Sequence, residues 1–484
     1  MSKLDAVVVG SGPNGLSAAI TLARAGLRVQ VLEAHAETGG ATQTRELTLP
    51  GFKNDWGSAI HPLAVASPAF RQWPLHAFGL DWVYPESPAA HTLWPASTGG
   101  VLLERSLDAT ADGLGRDGPT WKRLFGPLLH DWEGLLHDIL RPLLRIPAHP
   151  ITLAQFGLRG LPSAHAVAGL FQTPEARGLW AGLAAHTTLP LTTAGTSAMT
   201  LVLGLLAHAV GWPFPKGGAQ AIPRAMQAYL EFLGGEVITG VSVQRPQDLP
   251  DARVVLVDSS PAVLLRLLGE RAPASYRAAL ERFKYGPGVQ KFDYALSGPV
   301  PWLDERVFRS ATVHIGGTLE EVTESEANHA GRIAPRPFVL AAQQSLFDPS
   351  RAPAGKQTFW AYSHVPNGNS VDIRPQVEAQ IERFAPGFSE RILARTVTTA
   401  PQVQAFSPVM QGGDLNGGAA TLWQLLARPN LALTPYRTPV RGFYLCSSST
   451  PPGGGVHGMA GYHAALTALH DEFGLREFGL RETP

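Results

Sequence analysis

Six residues near the start of the chain, Gly10-Ser11-Gly12-Pro13-Asn14-Gly15, have the types and spacing to hold a pyrophosphate through backbone alone. In a GxGxxG turn the first glycine permits the tight bend and the second lets backbone approach the phosphates. The third brings helix and strand together. Exposed N–H groups and the positive end of the helix dipole supply the attraction. The surroundings suit this chemistry. Ala6 to Val9 (AVVV) reads as a buried parallel strand, and a helix follows to about Ala25, closed by Gly26. Arg28 to Leu32 (RVQVL) reads as the second strand, with Glu33 at its tip, eighteen residues past Gly15. An acid there accepts hydrogen bonds from two ribose hydroxyls and disfavours a 2′-phosphate. The motif by itself does not separate NAD from FAD.

Two further segments point to FAD. Gly39-Gly40 follows Glu33 closely, and a second glycine pair there gives a longer cofactor backbone access near its pyrophosphate. Far downstream, Phe443 to Met459 (FYLCSSSTPPGGGVHGM) reads as a strand, a loop of small residues and a helix start. Such a helix end can face the flavin edge where charge accumulates on reduction. No second GxGxxG unit exists for a separate nicotinamide domain. The single cysteine, Cys446, excludes a disulfide framework and a CxxC redox centre, and no metal ligand set is expected.

These blocks resemble the phytoene desaturase (carotenoid dehydrogenase-like) family of FAD oxidoreductases. The branch they resemble most carries the name pyridine nucleotide-disulfide oxidoreductase domain protein. Four stretches carry the likeness: VVVGSGPNGLSAA with Gly39-Gly40; Trp212 to Gly218 (WPFPKGG); Gly316 to Glu321 (GGTLEE); and YLCSSSTPPGGGVHGMAGYHAA. The resemblance implies a FAD domain plus a substrate domain with a mixed sheet and a helical wall. Its expected FAD contacts are Gly10, Gly12, Pro13, Asn14, Gly15, Glu33, Ala34, Gly39, Gly40, Ala41, Thr42, Val243, Ser448, Gly454, Gly455, Val456 and His457. Ala41 stands where related flavoproteins often have arginine, and Ser448 where many have an acid. A short link, QRPQDLPDA, replaces the usual hairpin before Arg253. Asn54 to Pro62 matches the family stretch beside the isoalloxazine ring, making His61 a candidate proton donor or acceptor, or else a structural histidine. His457 replaces a proline common in carotene desaturases. Tyr362 and His364 (in WAYSHVPNG) line either the substrate side or the interior of a sheet, and Asp414 and Asn416 read as turn residues first.

The elements that must position these groups alternate. From Pro62 to about Pro215 the pattern is helical, broken by Pro and Gly, without strands. Ala219 to Leu233 reads as a helix with Ile222, Met226, Tyr229, Leu230 and Leu233 on its apolar face. Strands are expected at Glu236–Val243, Arg253–Val257, Gln290–Leu296, Thr312–Ile315, Phe338–Ala342, Thr358–Tyr362 and Phe443–Cys446, with a short helix at Pro261–Leu268. The fold class is therefore α/β: a Rossmann-like FAD-binding domain assembled from residues 1–75, 216–275 and 425–484. An α+β substrate domain of mixed sheet and helices, residues 76–215 and 276–424, is inserted between its segments.

Thirty-nine basic and 39 acidic residues, with no like-charge run, exclude a nucleic-acid partner. No signal peptide is read at the N-terminus, so a cytoplasmic location is expected. Ala198 to Phe214 is the most apolar stretch. It reads as a buried helix, the alternative being a peripheral membrane patch with Trp212 and Phe214 at the lipid interface. The cofactor motifs, with what the resemblance implies, lead to the expectation of a FAD-dependent oxidoreductase that dehydrogenates a C–C bond of a hydrophobic or amphiphilic, isoprenoid- or polyene-like substrate, with oxygen or a quinone as acceptor. Two alternatives stand beside it: amine oxidase-like C–N oxidation, and a flavoprotein interaction module with little turnover.

Overall fold

The computed structural model describes residues 4–97, 99–327 and 331–475. Five strands form a wholly parallel sheet in the order Phe443–Leu445, Ala252–Val257, Leu4–Val9, Val29–Leu32, Glu236–Ile238. Strands Leu4–Val9 and Ala252–Val257 carry the apolar runs Ala6–Val9 and Val254–Val257, as expected where helices cover both faces. One face packs on helices Pro13–Arg24, Ala221–Phe232 and Met459–Ala468 through Leu16, Ile20, Met226, Tyr229 and Tyr462. The other packs on helix Pro261–Leu268 through Val263, Leu264, Leu267 and Leu268.

A second sheet has seven strands, ordered Ile392–Thr398, Gly288–Leu296, Gln357–Val365, Val339–Ala342, Ser310–Ile315, Ser87–Thr92, Gly100–Leu103. All neighbours are antiparallel except Ser310–Ile315 with Ser87–Thr92, which makes the sheet mixed. Seven helices between Leu107 and Ala209 close over one face of it, around Trp121, Phe125, Phe171 and Trp180.

Several expectations are corrected. The region 62–215 is not free of strands: Ser87–Thr92 and Gly100–Leu103 join the mixed sheet. SPAAHT has Thr92 as its single β-branched residue and none of the alternation that marks a strand, and it is buried along its whole length. The strand expected at Glu236–Val243 ends at Ile238, because the chain turns at Gly240 (φ +74°) to bond His35 and Glu33. Edge strand Ile392–Thr398 was not expected. In the apolar stretch, helix Thr196–Ala209 is mostly buried, and Trp212 (3 % exposed) and Phe214 (0 %) lie in the interior. That removes the lipid-facing alternative for this stretch. Among the described residues no helix is long and apolar enough to cross a membrane.

Asp55 joins the two sheet regions. Fully buried, it accepts the Thr44 hydroxyl (2.7 Å) and the Ala219 N–H (2.9 Å) on one oxygen. The other takes the Gln344 amide (3.0 Å) and the Arg351 guanidinium (2.8 Å).

Candidate functional site

A cavity of about 430 Å³ runs from the glycine loop to the mixed sheet. At the loop, Gly10 has φ +98°, and a Cβ there would stand 2.7 Å from the Asp258 carbonyl oxygen. A Cβ at Gly15 would stand 2.1 Å from the Gly10 carbonyl oxygen, so the helix approaches the strand end only because that side chain is missing. Helix Pro13–Arg24 starts with Pro13 in its first turn and no side-chain cap on Gly12; the Asp258 carboxylate takes the Gly15 N–H of that turn, and Gly12, Pro13 and Asn14 line the cavity.

Glu33 is buried. One of its carboxylate oxygens accepts both the Ser11 N–H (2.9 Å) and the Ser11 hydroxyl, and the other accepts the His35 N–H (2.8 Å). The loop and the acid are thus locked together before any ligand arrives. Ser11 was not singled out from the sequence, and neither was Asp258. The Asp258 carboxylate accepts the Gly15 N–H at 2.8 Å, and burial, with Glu33 nearby, pushes its pKa up to about 7.

Of the expected FAD contacts, Gly10, Gly12, Pro13, Asn14, Glu33, Ala34, Gly40, Ala41, Thr42, Val243, Ser448, Gly454, Gly455 and Val456 line this one cavity. Gly15 and Gly39 stand just behind the lining, Gly39 donating its N–H to the Ser11 carbonyl at 3.0 Å. The small-residue loop after Phe443–Leu445 is held by Arg428, which donates to the carbonyls of Ser448 (2.8 Å), Asn416 (2.6 Å) and Gly418 (3.2 Å). Burial lowers the Arg428 pKa to about 10. Asn416 lies against Gly454, and its amide reaches the Thr188 hydroxyl at 3.4 Å. Asp414 accepts backbone N–H groups of Gly286, Asn416 and Gly418 and is a turn residue.

The four candidate catalytic residues separate. His61 lines the cavity, with Nε2 2.9 Å from the Ser58 hydroxyl; burial lowers its pKa to about 4. Tyr362 also lines it, and burial raises its phenol. His364 does not line it: its Nδ1 is 2.7 Å from a Glu326 carboxylate oxygen, and both side chains are buried. Nor does His457, whose Nδ1 accepts the Met459 N–H (3.0 Å) at the start of helix Met459–Ala468.

The far end of the cavity is built by the mixed sheet. Register places His91, His314, Leu340 and Tyr362 in one row, with Thr312, Ala342 and Trp360 in the next row on the same face. Met199, Leu203 and Trp212 from the helical layer complete the wall. One cluster elsewhere, His137, Asp138 and His149, brings three potential metal-ligand atoms within 4.8 Å of one another. Asp138 uses its oxygens there to accept the Ala148 and His149 N–H groups.

Comparison with known proteins agrees with this architecture. Residues 8–73 match the model of the NAD(P)-binding Rossmann-like domain. The chain is 28 % identical to pyridine nucleotide-disulfide oxidoreductase domain-containing protein 2 of Mus musculus, over 97 % of this chain and 94 % of that one. It is 25 % identical to a phytoene desaturase (lycopene-forming) of Paracoccus sp., over 94 % of this chain and 95 % of that one. The resemblance drawn from the residues is borne out, and the similarity runs to oxidoreductases along nearly the whole chain. Among solved structures, an oxidoreductase from Methanosarcina mazei shares the fold with TM-score 0.64 at 16 % identity, covering 96 % of this chain and 100 % of that one. A redesigned putrescine oxidase shares it with TM-score 0.60 at 18 % identity, covering 96 % and 98 %.

Proposed function

We propose that the chain binds FAD along this cavity and dehydrogenates a C–C bond of an uncharged hydrophobic or amphiphilic substrate of isoprenoid or polyene type. The observation that carries the reading is the chemistry of the cavity's far end. Met199, Leu203, Trp212, Leu340, Trp360 and Tyr362 line it, and no carboxylate does; the lining acids, Glu33 and Asp258, both sit at the glycine loop. An alkylammonium entering that end would lose its hydration without a counter-ion. A hydrocarbon would gain about 25 cal/mol per Å² of buried surface. This favours C–C over C–N oxidation.

The residues present fit the cofactor. Gly10, Gly12 and Gly40 line the cavity beside the start of helix Pro13–Arg24 without side chains of their own, and the Glu33 oxygen that receives the His35 N–H has one acceptor position left for a ribose hydroxyl. In this reading Ser448, Gly454, Gly455 and Val456 wall the flavin side. Bound FAD would supply a two-electron hydride acceptor, with oxygen or a quinone taking the electrons onward. The protein's own work is to hold an apolar chain in line and to exclude water.

The test is an absorbance spectrum of the purified protein, followed by anaerobic titration with phytoene and, separately, with putrescine. Retained flavin that bleaches with phytoene and not with putrescine is the expected result. Bleaching by putrescine alone would establish amine oxidation instead. Flavin that no donor reduces would point to an interaction module, and failure to retain or rebind flavin would sink the cofactor assignment.

A further inference from the structure

Three histidines from distant parts of the chain meet behind the cavity wall. His186 ends helix Pro174–Ala185 and lines the cavity. Its Nε2 lies 3.0 Å from Nε2 of His314, which pairs in register with His91 on the neighbouring strand. His91 Nε2 lies 2.7 Å from the Gly317 carbonyl oxygen.

That carbonyl fixes the proton of His91. A carbonyl oxygen only accepts, so His91 carries its proton on Nε2 and presents a lone pair at Nδ1. His91 Nδ1 and His314 Nδ1 are both buried without a partner, and both turn toward Gly182. A Cβ on Gly182 would stand 2.5 Å from the first and 2.7 Å from the second, so the missing side chain is what gives the two nitrogens a common space. The two nitrogens share no hydrogen bond, but a lone pair on His91 Nδ1 facing that space favours a proton over a second lone pair on His314 Nδ1, which leaves His314 Nε2 as acceptor. His186 must then donate from Nε2, and its Nδ1 keeps a lone pair for a molecule in the cavity.

Resting on the dehydrogenase reading above, we propose that His186 accepts the proton the substrate loses, with His314 and His91 as positioning residues that set its tautomer. Bound FAD would supply the acceptor for a hydride from one carbon, while the C–H bond on the adjacent carbon breaks. Its electron pair becomes the second bond of the new double bond, and its proton goes to His186 Nδ1, giving an imidazolium. The proton is given up again when oxygen or a quinone takes the two electrons, so that hydride and proton together account for the two hydrogens removed. Burial keeps all three rings neutral at rest, lowering His186 to about 3 and His91 to about 4, and His314 well below its usual value. Glu326, paired with His364, is the nearby carboxylate that favours a charge on His186.

The experiment is ¹⁵N NMR of histidine-labelled protein, with the His186 signal assigned from His186→Gln. The expected wild-type state has Nδ1 of His186 unprotonated and Nε2 protonated; the reverse overturns the proposal. His91→Gln keeps a donor for Gly317 but removes the Nδ1 acceptor, and is expected to leave His186 in mixed tautomers with the flavin spectrum unchanged. An undisturbed tautomer there would show that His91 does not set it. With phytoene, His186→Gln is expected to slow anaerobic bleaching by about 10²-fold at unchanged flavin content, and bleaching at the wild-type rate overturns the role. Flavin that phytoene leaves oxidised in the wild type would overturn the dehydrogenase reading and the proton-acceptor role with it. The tautomer would still be decided by the NMR measurement.

Discussion

At the glycine loop the polar contacts run through backbone: Gly15 N–H to Asp258, Ser11 N–H to Glu33, Gly39 N–H to Ser11. Along the mixed sheet they run between side chains, His186 to His314 and Trp302 to Gln343, while His91 reaches a carbonyl. The first kind of site needs only the right turn and a few missing side chains. It is written in a handful of neighbouring residues. The second needs rings from strands far apart in sequence and is specified only by the finished sheet. The contrast predicts that the loop end is broken by added volume alone, whereas the sheet end depends on its proton pattern as well as on the missing side chain at Gly182.

The largest effect should come where the two regions are tied. Arg351→Met leaves Asp55 as a buried carboxylate without its cation, and should cost about 3–5 kcal/mol in a denaturant midpoint measurement. A change under about 1 kcal/mol would mean that the pair is not an anchor. Next comes the loop. Gly15→Val forces a side chain into the Gly10 carbonyl oxygen and should cost on the order of 3 kcal/mol, with loss of flavin from the purified protein.

Asp258 gives a pH test. Its folded pKa, about 7, lies above that of a free carboxylate, so its contribution to stability is whole below pH 4 and is lost as pH rises to 7. Asp258→Asn should remove a slope of about 1 kcal/mol per pH unit between pH 4 and 7. Parallel unfolding curves for both proteins at pH 5 and pH 7 would contradict this. The smallest effect belongs to Glu33→Gln, which weakens a charge-assisted contact by about 1.5 kcal/mol. It should lower flavin affinity roughly tenfold in a spectral titration without moving the unfolding midpoint by as much as the loop variant does.

How much was legible follows the same division. The strand–turn–helix from Leu4 to Arg24 could be read because buried parallel strands are continuous apolar runs and the turn demands glycine. SPAAHT could not, since nothing in its composition shows a strand buried on both faces by later elements. Ser11 lay inside the motif and was passed over because the pattern names its glycines, not the residue between them. Asp258 ends a strand read correctly, yet its approach to Gly15 is set by sheet order, which spacing does not reveal. His186, His314 and His91 carry no local pattern at all. His457 was read as a flavin neighbour from its place at a helix start, and the structure uses its ring to receive a helix N–H.

The four bonds to Asp55 also bear on how the molecule comes apart. Its partners lie in the glycine-loop region (Thr44, Ala219) and beside the mixed sheet (Gln344, Arg351), so neither region can loosen without uncovering the same carboxylate. Heat or denaturant should therefore melt both sheets in one cooperative step. Limited proteolysis under native conditions should yield no stable half of the chain.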